Sequence, residues 1–212
     1  MKIRWLGHAC FLITSAKGTR ILTDPFDETV GYVVPAVEAD FVTVSHEHFD
    51  HNAVGNVKGK PKVVRGAGAH SLGDVSARGI DTFHDGVMGA KRGPNTVFVL
   101  NVDGMSLCHL GDLGHVLEAA HLSAIGRVDV LLVPVGGTYT IDPAAAAKVV
   151  EQISPSIVIP MHYKTDATSF PIVGVDEFLQ KVGGGRRIGG TTVEITKEDL
   201  TGTRKVYVLE YA

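Results

Sequence analysis

Three histidines and one aspartate are crowded into residues 46–51, and this crowding constrains the fold more than any other feature of the sequence. The segment reads His-Glu-His-Phe-Asp-His and directly follows the apolar stretch 41–44, so the donor side chains cluster where a buried strand is predicted to end. His46 and His48 share one face while the backbone is still extended, and Asp50 and His51 follow where the chain must turn. One short loop can therefore supply ligands to two adjacent metal ions. The alternative is a histidine-rich loop or helix start whose imidazoles make ordinary hydrogen bonds.

The composition is that of a globular protein without a polyanionic partner. The chain has 212 residues, of which 44% are hydrophobic, and its net charge is -3. This length favours one domain over residues 1–212, and no block rich in Lys and Arg indicates binding to long nucleic acid. The N-terminus lacks a signal-peptide pattern, and no apolar run approaches the roughly 18 residues that span a bilayer. We therefore expect a cytoplasmic protein that acts on a small molecule and has no membrane partner, with homo-oligomer formation left open.

The hydrophobic pattern predicts strands at both ends of the chain and alternating strands and helices in its second half. Predicted strands cover residues 2–6, 8–14, 19–23, 41–45, 62–65, 80–84, 96–102, 105–110, 128–134, 156–160, 192–196 and 205–209. Predicted helices cover residues 115–125, 143–153 and 175–182, with a short helix after His51, while residues 66–79 read as an irregular segment dotted with glycine. The Asp103-Gly104 pair is a strong hairpin signal. This mixture predicts an α/β fold in which two facing sheets carry helices outside, a four-layer αββα sandwich.

Further donor side chains stand at the ends of later predicted strands. His84 ends the strand that begins at residue 80, Asp112 follows the strand 105–110, and His162 follows the strand 156–160. A divalent ion takes four or more donors, and two neighbouring ions usually share one of them. Because strand ends in a sandwich can converge on one edge, these three residues are the candidates that complete a metal site with residues 46–51. The two cysteines, Cys10 and Cys108, are expected to be small buried side chains rather than ligands.

With these donors the sequence resembles the metallo-β-lactamase superfamily, whose His-x-His-x-Asp-His signature occupies positions 46–51. Four further segments resemble the short bacterial and archaeal metal-dependent hydrolases related to ascorbate-phosphate lactonase: Leu6-Gly7-His8, Thr23-Asp24-Pro25-Phe26, His109-Leu110-Gly111-Asp112 and Pro160-Met161-His162-Tyr163. The resemblance implies one metal held by His46, His48 and His84, and a second held by Asp50, His51 and His162. It implies that Asp112 bridges the two. Imidazole and carboxylate donors suit zinc best here, with manganese and iron as alternatives.

The resemblance also implies a reaction. A hydroxide bridging the two metals, formed because the pKa of bound water falls from about 15.7 toward about 7, would attack a small ester, lactone or phosphoester. Asp50 would orient this hydroxide or pass its proton to the leaving group. The antibiotic-degrading members often carry cysteine where this chain has Asp112, so β-lactams are not the expected substrate. The alternatives are a cyclic or dinucleotide phosphodiesterase or nuclease of the same superfamily, an iron-dependent oxidoreductase, and a metal-binding protein without turnover.

Three polar residues outside the ligand set are candidates for orienting the ligands. Asp24 is either an acceptor for the N–H of a ligand histidine or an Asx turn before Pro25. His8 and His109 either support the site or are ordinary core histidines. The remaining histidines are assigned surface or packing roles: His70, His115 and His121.

Two residues are candidates for contacting the substrate. Tyr139 lies in the segment Gly136-Gly137-Thr138-Tyr139-Thr140, which either lines a pocket or only makes the turn into the next helix. Lys164 follows His162 by two positions and can pair with an anionic group, although an exposed lysine is usually only solvated. Lys91 and Arg92, in the loop 86–95, can act in the same way from a mobile lid, or they are ordinary surface charges.

Overall fold

Two mixed β-sheets form the centre of the structure. The computed structural model describes all 212 residues. The strands are β1 (Lys2–Gly7), β2 (Cys10–Thr14), β3 (Arg20–Thr23), β4 (Phe41–Val44), β5 (Lys62–Arg65), β6 (Gly68–Leu72), β7 (Val75–Phe83), β8 (Pro94–Val102), β9 (Met105–His109), β10 (Val130–Pro134), β11 (Ile157–Met161), β12 (Arg186–Arg187), β13 (Thr192–Glu194) and β14 (Lys205–Val208). The helices are α1 (Ala119–Ile125), α2 (Pro143–Ile153) and α3 (Val175–Val182), with short 3-10 turns at Glu28–Val30, Val54–Asn56 and Lys197–Leu200. The first sheet has the order β13-β1-β2-β3-β4-β5, and the second has the order β12-β14-β11-β10-β9-β8-β7-β6.

Side-chain alternation places apolar residues on both faces of the first sheet. Ile21 and Leu22, adjacent in β3, point to opposite faces and belong to two different buried clusters. Ile21 joins the large core that fills the space between the sheets, whereas Leu22 packs with Phe26 and Tyr32 from the connection after β3. Helices α2 and α3 pack on each other beside β10 of the second sheet. The predicted αββα sandwich is confirmed, with the connection before β4 covering the first sheet.

Two predicted helices have the expected bounds, one begins later than expected, and one is replaced by a 3-10 turn. Helix α2 begins as expected, because Asp142 accepts a hydrogen bond from the N–H of Ala145 at 2.8 Å and Pro143 occupies the first turn. Helix α1 begins at Ala119 rather than at residue 115, since His115 is tied to the end of β7 by a bond from the N–H of Phe83 at 3.3 Å. The short helix predicted after His51 is only a 3-10 turn at Val54–Asn56. No helix is long and apolar enough to cross a membrane.

The segment 66–79, predicted to be irregular, is instead the hairpin of β6 with the first half of β7. Gly68 pairs with Gly79, and Leu72 pairs with Val75. Glycine is required at position 79 because a Cβ atom there would lie 2.1 Å from the carbonyl oxygen of Gly66. The two-residue strand β12 was also not predicted from the sequence; it is ordered by pairing with β14.

Parallel strands bring several strand ends to one edge of the molecule. Strands β9, β10 and β11 run parallel in the second sheet, so the residues that follow β9 and β11 emerge at the same edge. In the first sheet, β4 runs parallel to β3 and β5. The segment 45–51 follows β4, and His84 follows β7 directly. The predicted donor side chains therefore meet at one edge of the sandwich.

Candidate metal centre

Six of the seven predicted ligands form two neighbouring groups of donor atoms. The first group consists of His46, His48 and His84, and their donor atoms lie within 4.8 Å of one another. The second group contains Asp50, His51 and His162, together with one residue that was not predicted to be a ligand. That residue is His8, whose donor atom also lies within 4.8 Å of the others.

Asp112 stands between the two groups. Its Oδ2 atom is 3.3 Å from Nε2 of His84 in the first group. The same oxygen is 3.3 Å from Nε2 of His51 and 3.2 Å from Nε2 of His162 in the second group. One carboxylate oxygen is thus in contact with imidazoles of both groups, which is the position that a bridging ligand requires.

Unpartnered buried atoms show that this donor set fits metal ions. Nε2 of His46 and Oδ1 of Asp112 are buried and have no hydrogen-bond partner in the protein. Such atoms are costly to bury unless something satisfies them. Imidazole and carboxylate are the donors that zinc, iron and manganese accept, so both unpartnered atoms suit coordination to a metal ion.

Asp24 fixes the orientation of a histidine in each group. Its Oδ2 accepts hydrogen bonds from Nδ1 of His51 at 3.0 Å and from Oγ of Ser45 at 2.5 Å. The Ser45 hydroxyl in turn accepts from Nδ1 of His46 at 2.9 Å. With Nδ1 used in this way, both imidazoles turn Nε2 toward the site. Asp24 thus contacts His51, one of the histidines predicted to be a ligand.

Burial keeps two of the imidazoles neutral. Loss of hydration, reinforced by neighbouring imidazoles, lowers the pKa of His46 to about 3 and that of His8 to about 4. Burial also lowers the pKa of His84 from its ordinary value. Neutral imidazole is the form that binds metal, so these side chains are ready to act as ligands at neutral pH.

The carboxylates of the centre create a potential that favours positive charge. Burial lowers the pKa of His51, but Asp112, Asp24 and Asp50 outweigh this effect and hold it well above the ordinary value. Burial would raise the pKa of Asp112, yet the imidazoles of His162 and His51 keep it well below its usual range. The pKa of Asp50 is lowered by His8 and His51 against the same burial effect. The same negative potential therefore favours either a proton on His51 or a bound metal cation.

His109, another residue predicted to support the centre, acts on the backbone rather than on a ligand side chain. Its Nε2 donates to the carbonyl of Ala9 at 2.8 Å, and its Nδ1 accepts from the N–H of Gly111 at 3.1 Å. These bonds shape the turn that leads into Asp112. Asn95 was not predicted. Its Oδ1 accepts from the N–H of Asp112 at 2.9 Å, and the only sequence signal was an amide directly before the apolar strand 96–102.

A cavity of about 460 Å³ opens beside the first group. Its walls contain Tyr139, as predicted, but not Lys164. The nine lining residues are Glu47, His48, Phe49, Asp50, His84, Arg92, Asp112, Tyr139 and Phe170. Arg92 is one of the two loop cations that the sequence left open as substrate contacts. Phe49 and Phe170 were not predicted, because they lie on loops whose approach to the site depends on the folded structure.

The position of Lys164 corrects the interpretation of this residue as a substrate contact. Its ammonium group donates to the carbonyl oxygens of Thr168 and Phe170. The side chain therefore braces the segment that carries Phe170 and does not line the cavity. Arg92 is the cationic side chain on the cavity wall, with its guanidinium 5.3 Å from the centre of the Tyr139 ring.

The loop after His84 is organised by a single carboxylate. Asp85 accepts hydrogen bonds from the N–H groups of Val87, Gly89, Lys91 and Arg92, at 2.8 to 2.9 Å. These bonds hold the pKa of Asp85 below its usual range, although burial acts in the opposite direction. The loop 86–93 is therefore a structured rim that holds Arg92 at the cavity.

Comparison with known proteins agrees with this geometry. Residues 2–162 match the family described as the beta-lactamase superfamily domain. A UPF0173 metal-dependent hydrolase from Carboxydothermus hydrogenoformans is 33% identical, and the alignment covers 89% of this chain and 94% of the relative. The solved structure of a Thermotoga maritima protein, assigned to the metallo-beta-lactamase superfamily, is 43% identical with a TM-score of 0.84 and covers 100% of this chain and 99% of its own.

A more distant structure shows the fold alone. Igni18, a metallo hydrolase from Ignicoccus hospitalis, has a TM-score of 0.65 at 22% identity, with 99% of this chain and 94% of Igni18 covered. The family match spans most of the chain, and the relatives align over nearly their whole length. The chain therefore belongs to the metallo-β-lactamase superfamily and is a metal-dependent hydrolase.

Proposed function

We propose that the protein is a dinuclear hydrolase that cleaves a small anionic ester, lactone or phosphoester. The observation that carries the dinuclear part is the position of Asp112, whose Oδ2 lies 3.2 to 3.3 Å from imidazole nitrogens of both donor groups. A site for one ion would need no shared carboxylate. The two donor groups around Asp112 instead match a pair of ions with one bridging ligand.

The residues divide between two metal positions. His46, His48 and His84 hold the first position; Asp50, His51 and His162 hold the second; and Asp112 is shared. Divalent ions bound there would polarise a carbonyl or phosphoryl group and would lower the pKa of water toward about 7. Zinc is the metal we propose, because these donors suit it, with iron and manganese as the other candidates.

Asp50 is the carboxylate proposed to orient the attacking water. It lines the cavity and also belongs to the second donor group. Because neighbouring imidazoles hold its pKa low, the carboxylate is ionised at neutral pH and can accept a hydrogen bond from a water molecule. No other carboxylate shares these two positions except Asp112, whose Oδ2 is already surrounded by three imidazoles.

The cavity wall indicates the kind of substrate. Arg92 supplies a positive charge, and Phe49, Tyr139 and Phe170 supply aromatic surface. A volume of about 460 Å³ is within the usual range of small-molecule sites, roughly 300 to 1,000 Å³, and too small for a long polynucleotide. We propose a substrate with one anionic group that reaches Arg92 while its scissile bond lies beside the metal ligands.

A panel of small esters, lactones and phosphoesters tests this proposal. Zinc-loaded protein should turn over at least one anionic member of the panel and should prefer it to the neutral analogue. In the variant Arg92→Gln, KM for the anionic substrate should rise about tenfold or more, with a smaller effect on the neutral one. Absence of turnover with the loaded protein across all classes would contradict the proposed activity.

Lys91→Gln is the matched control for this experiment. Lys91 precedes Arg92 and its backbone N–H also binds Asp85, but its side chain does not line the cavity. The control removes the same charge from the same loop and should leave KM unchanged for both substrates. An equal rise in KM in the two variants would assign the effect to the general charge of the loop and would remove Arg92 from the proposed contacts.

A further inference from the structure

We propose that His8 is itself a metal ligand, which adds a third imidazole to the second metal position. This inference rests on the proposed metal pair. It extends the seven ligands that sequence resemblance implies, because His8 lies outside the segment 46–51 and outside the three later strand ends. Three observations support it: the position of the His8 ring, the conformation of its backbone, and the short distances among the four donor side chains of the second group.

The distances around His8 match those between donors on one ion. Its Nε2 is 3.2 Å from Oδ2 of Asp50 and 3.2 Å from Nε2 of His51. Donors about 2.0 to 2.1 Å from a tetrahedral zinc ion are separated by about 3.3 Å. The ring of His8 also lies 4.1 Å from that of His162, measured between centroids. His8 thus completes a ring of four donor side chains around one point.

The orientation of His51 places a donor atom at the same point. Its Nδ1 donates to Oδ2 of Asp24 at 3.0 Å, which turns Nε2 toward His8 and Asp50. A cation between these side chains accepts electron density from all of them, including Nε2 of His8.

The backbone of His8 is held in a conformation that histidine seldom adopts. Its φ is 51°, in the left-handed region, and the residue lies between β1 and β2. The His8 carbonyl accepts from Nε1 of Trp5 at 3.0 Å and from the N–H of His162 at 3.1 Å. A left-handed residue costs about 1 to 3 kcal/mol and persists where its surroundings determine it, often at functional sites. The bond to His162 fixes the two histidines relative to each other.

Including His8 makes the two metal positions unequal. With Asp112 counted in both, the second position has five protein donors and the first has four. His8, His51 and His162 are almost completely buried and do not line the cavity, whereas His48 and His84 do. The second position should therefore bind its ion first and release it slowly. The first position should exchange its ion more readily and face the substrate.

The protonation state of the His8 ring in zinc-loaded protein tests the inference. Two-bond 15N–1H correlation spectra distinguish a metal-bound nitrogen from one that carries a proton. We expect Nε2 of His8 to be bound to metal and Nδ1 to be protonated. The variant His8→Asn assigns the signal, because asparagine tolerates left-handed backbone and its amide is too short to replace the imidazole. His8→Gln provides the same assignment where His8→Asn does not fold.

Metal affinity provides the second measurement. In His8→Asn, the tighter of the two zinc affinities should fall by more than about 100-fold, which exceeds the roughly 10- to 100-fold effect of losing a residue that only orients a ligand. His70→Asn is the control, since His70 lies on β6 and belongs to neither donor group, and it should leave the tight affinity unchanged. Chelator competition measures both variants against the wild-type protein.

Three results separate this inference from the proposed function. A proton on Nε2 of His8 in the loaded protein would overturn the inference and assign His8 to a hydrogen bond with Asp50. An unchanged tight affinity in His8→Asn would overturn it as well. Wild-type protein that binds a single ion would contradict the dinuclear proposal, while the state of the His8 ring would still decide whether His8 binds that ion.

Discussion

Three residues other than glycine adopt left-handed backbone at the metal centre. They are His8, Asp24 and His162, with φ of 51°, 40° and 50°. Each presents its side chain from a sharp turn at the end of a strand, and each is buried. Because this conformation is unfavourable for residues with a Cβ atom, its recurrence at one site indicates that side-chain direction at the centre outweighs the local backbone cost.

The buried neutral histidines predict how the metal-free protein responds to acid. His8 and His46 have pKa values of about 4 and about 3 in the folded protein, against 6.5 when unfolded. Between pH 6.5 and about 4, the unfolded chain binds protons that the folded chain does not, so the free energy of unfolding falls as the pH falls. The raised pKa of His51 acts in the opposite direction only near pH 6.5, where the unfolded chain is not yet fully protonated at this residue, so the two neutral histidines outweigh it.

Urea unfolding in the presence of chelator, at several pH values from 6.5 to 4.5, measures this effect. Each group contributes a slope of up to about 1.4 kcal/mol per pH unit, and His8→Asn should reduce the total slope by up to this amount. A free energy of unfolding that stays constant or rises as the pH falls through this window would contradict the neutral buried state of both histidines.

Close contacts between backbone segments position the strand ends that carry the ligands. Gly136 follows β10, and a Cβ atom there would lie 2.2 Å from the carbonyl oxygen of His162. Gly114 makes a similar approach, with its Cβ position 2.2 Å from the backbone nitrogen of Asp85, next to His84. At both positions a glycine lets one loop pack directly on the backbone of a ligand or of its neighbour.

The variant Gly136→Ala should displace the turn that holds His162. Because the obstructing atom is backbone, we expect a loss of about 1 to 3 kcal/mol in the free energy of unfolding, together with weaker binding at the second metal position. Gly190→Ala is the control, since a Cβ atom at that position meets nothing within 4 Å. Urea unfolding and chelator competition check the two variants. Equal free energies of unfolding and equal zinc affinities in both would show that the close approach of Gly136 to His162 is not needed.

The elements that local sequence specifies were the ones predicted well. The hairpin of β8 and β9 has an Asp-Gly turn between apolar runs, and α2 has an Asp-Pro start. The hairpin of β6 and β7 was missed, because its glycines weaken the strand pattern and its order comes from pairing with β8. The predicted ligands follow strand ends, whereas Arg92 and Phe170 are held at the cavity by hydrogen bonds within irregular loops, made by Asp85 and Lys164, and such bonds leave no periodic pattern in the sequence.

At the scale of the molecule, the metal centre joins the two sheets. Its donors follow β4 in the first sheet and β7, β9 and β11 in the second, and His8 joins β1 to β2. The unfolded chain cannot bring these side chains together, so metal binds mainly to the folded state and stabilises it. The second sheet contributes His84, Asp112 and His162, and the first contributes the remaining proposed ligands.

Removal of metal should therefore lower the melting temperature. At a free metal concentration about 100 times Kd, one bound ion contributes about 2.7 kcal/mol. For a chain of this length that corresponds to a decrease of about 5 to 10 °C in Tm when the ion is removed. Thermal unfolding with and without chelator measures the change, and re-addition of zinc should restore the original Tm. An identical Tm in verified metal-free and loaded protein would contradict metal binding that is coupled to folding.

The most direct test of the dinuclear centre is the metal content of the purified protein and of Asp112→Asn. The variant retains the size of the side chain but removes the charge that both positions share. Metal analysis after zinc loading and removal of excess zinc should give about two ions per wild-type chain, and about one or fewer in the variant, with loss of any hydrolysis. Equal metal content in the two proteins with unchanged activity, or a single ion in the wild type, would contradict a centre bridged by Asp112.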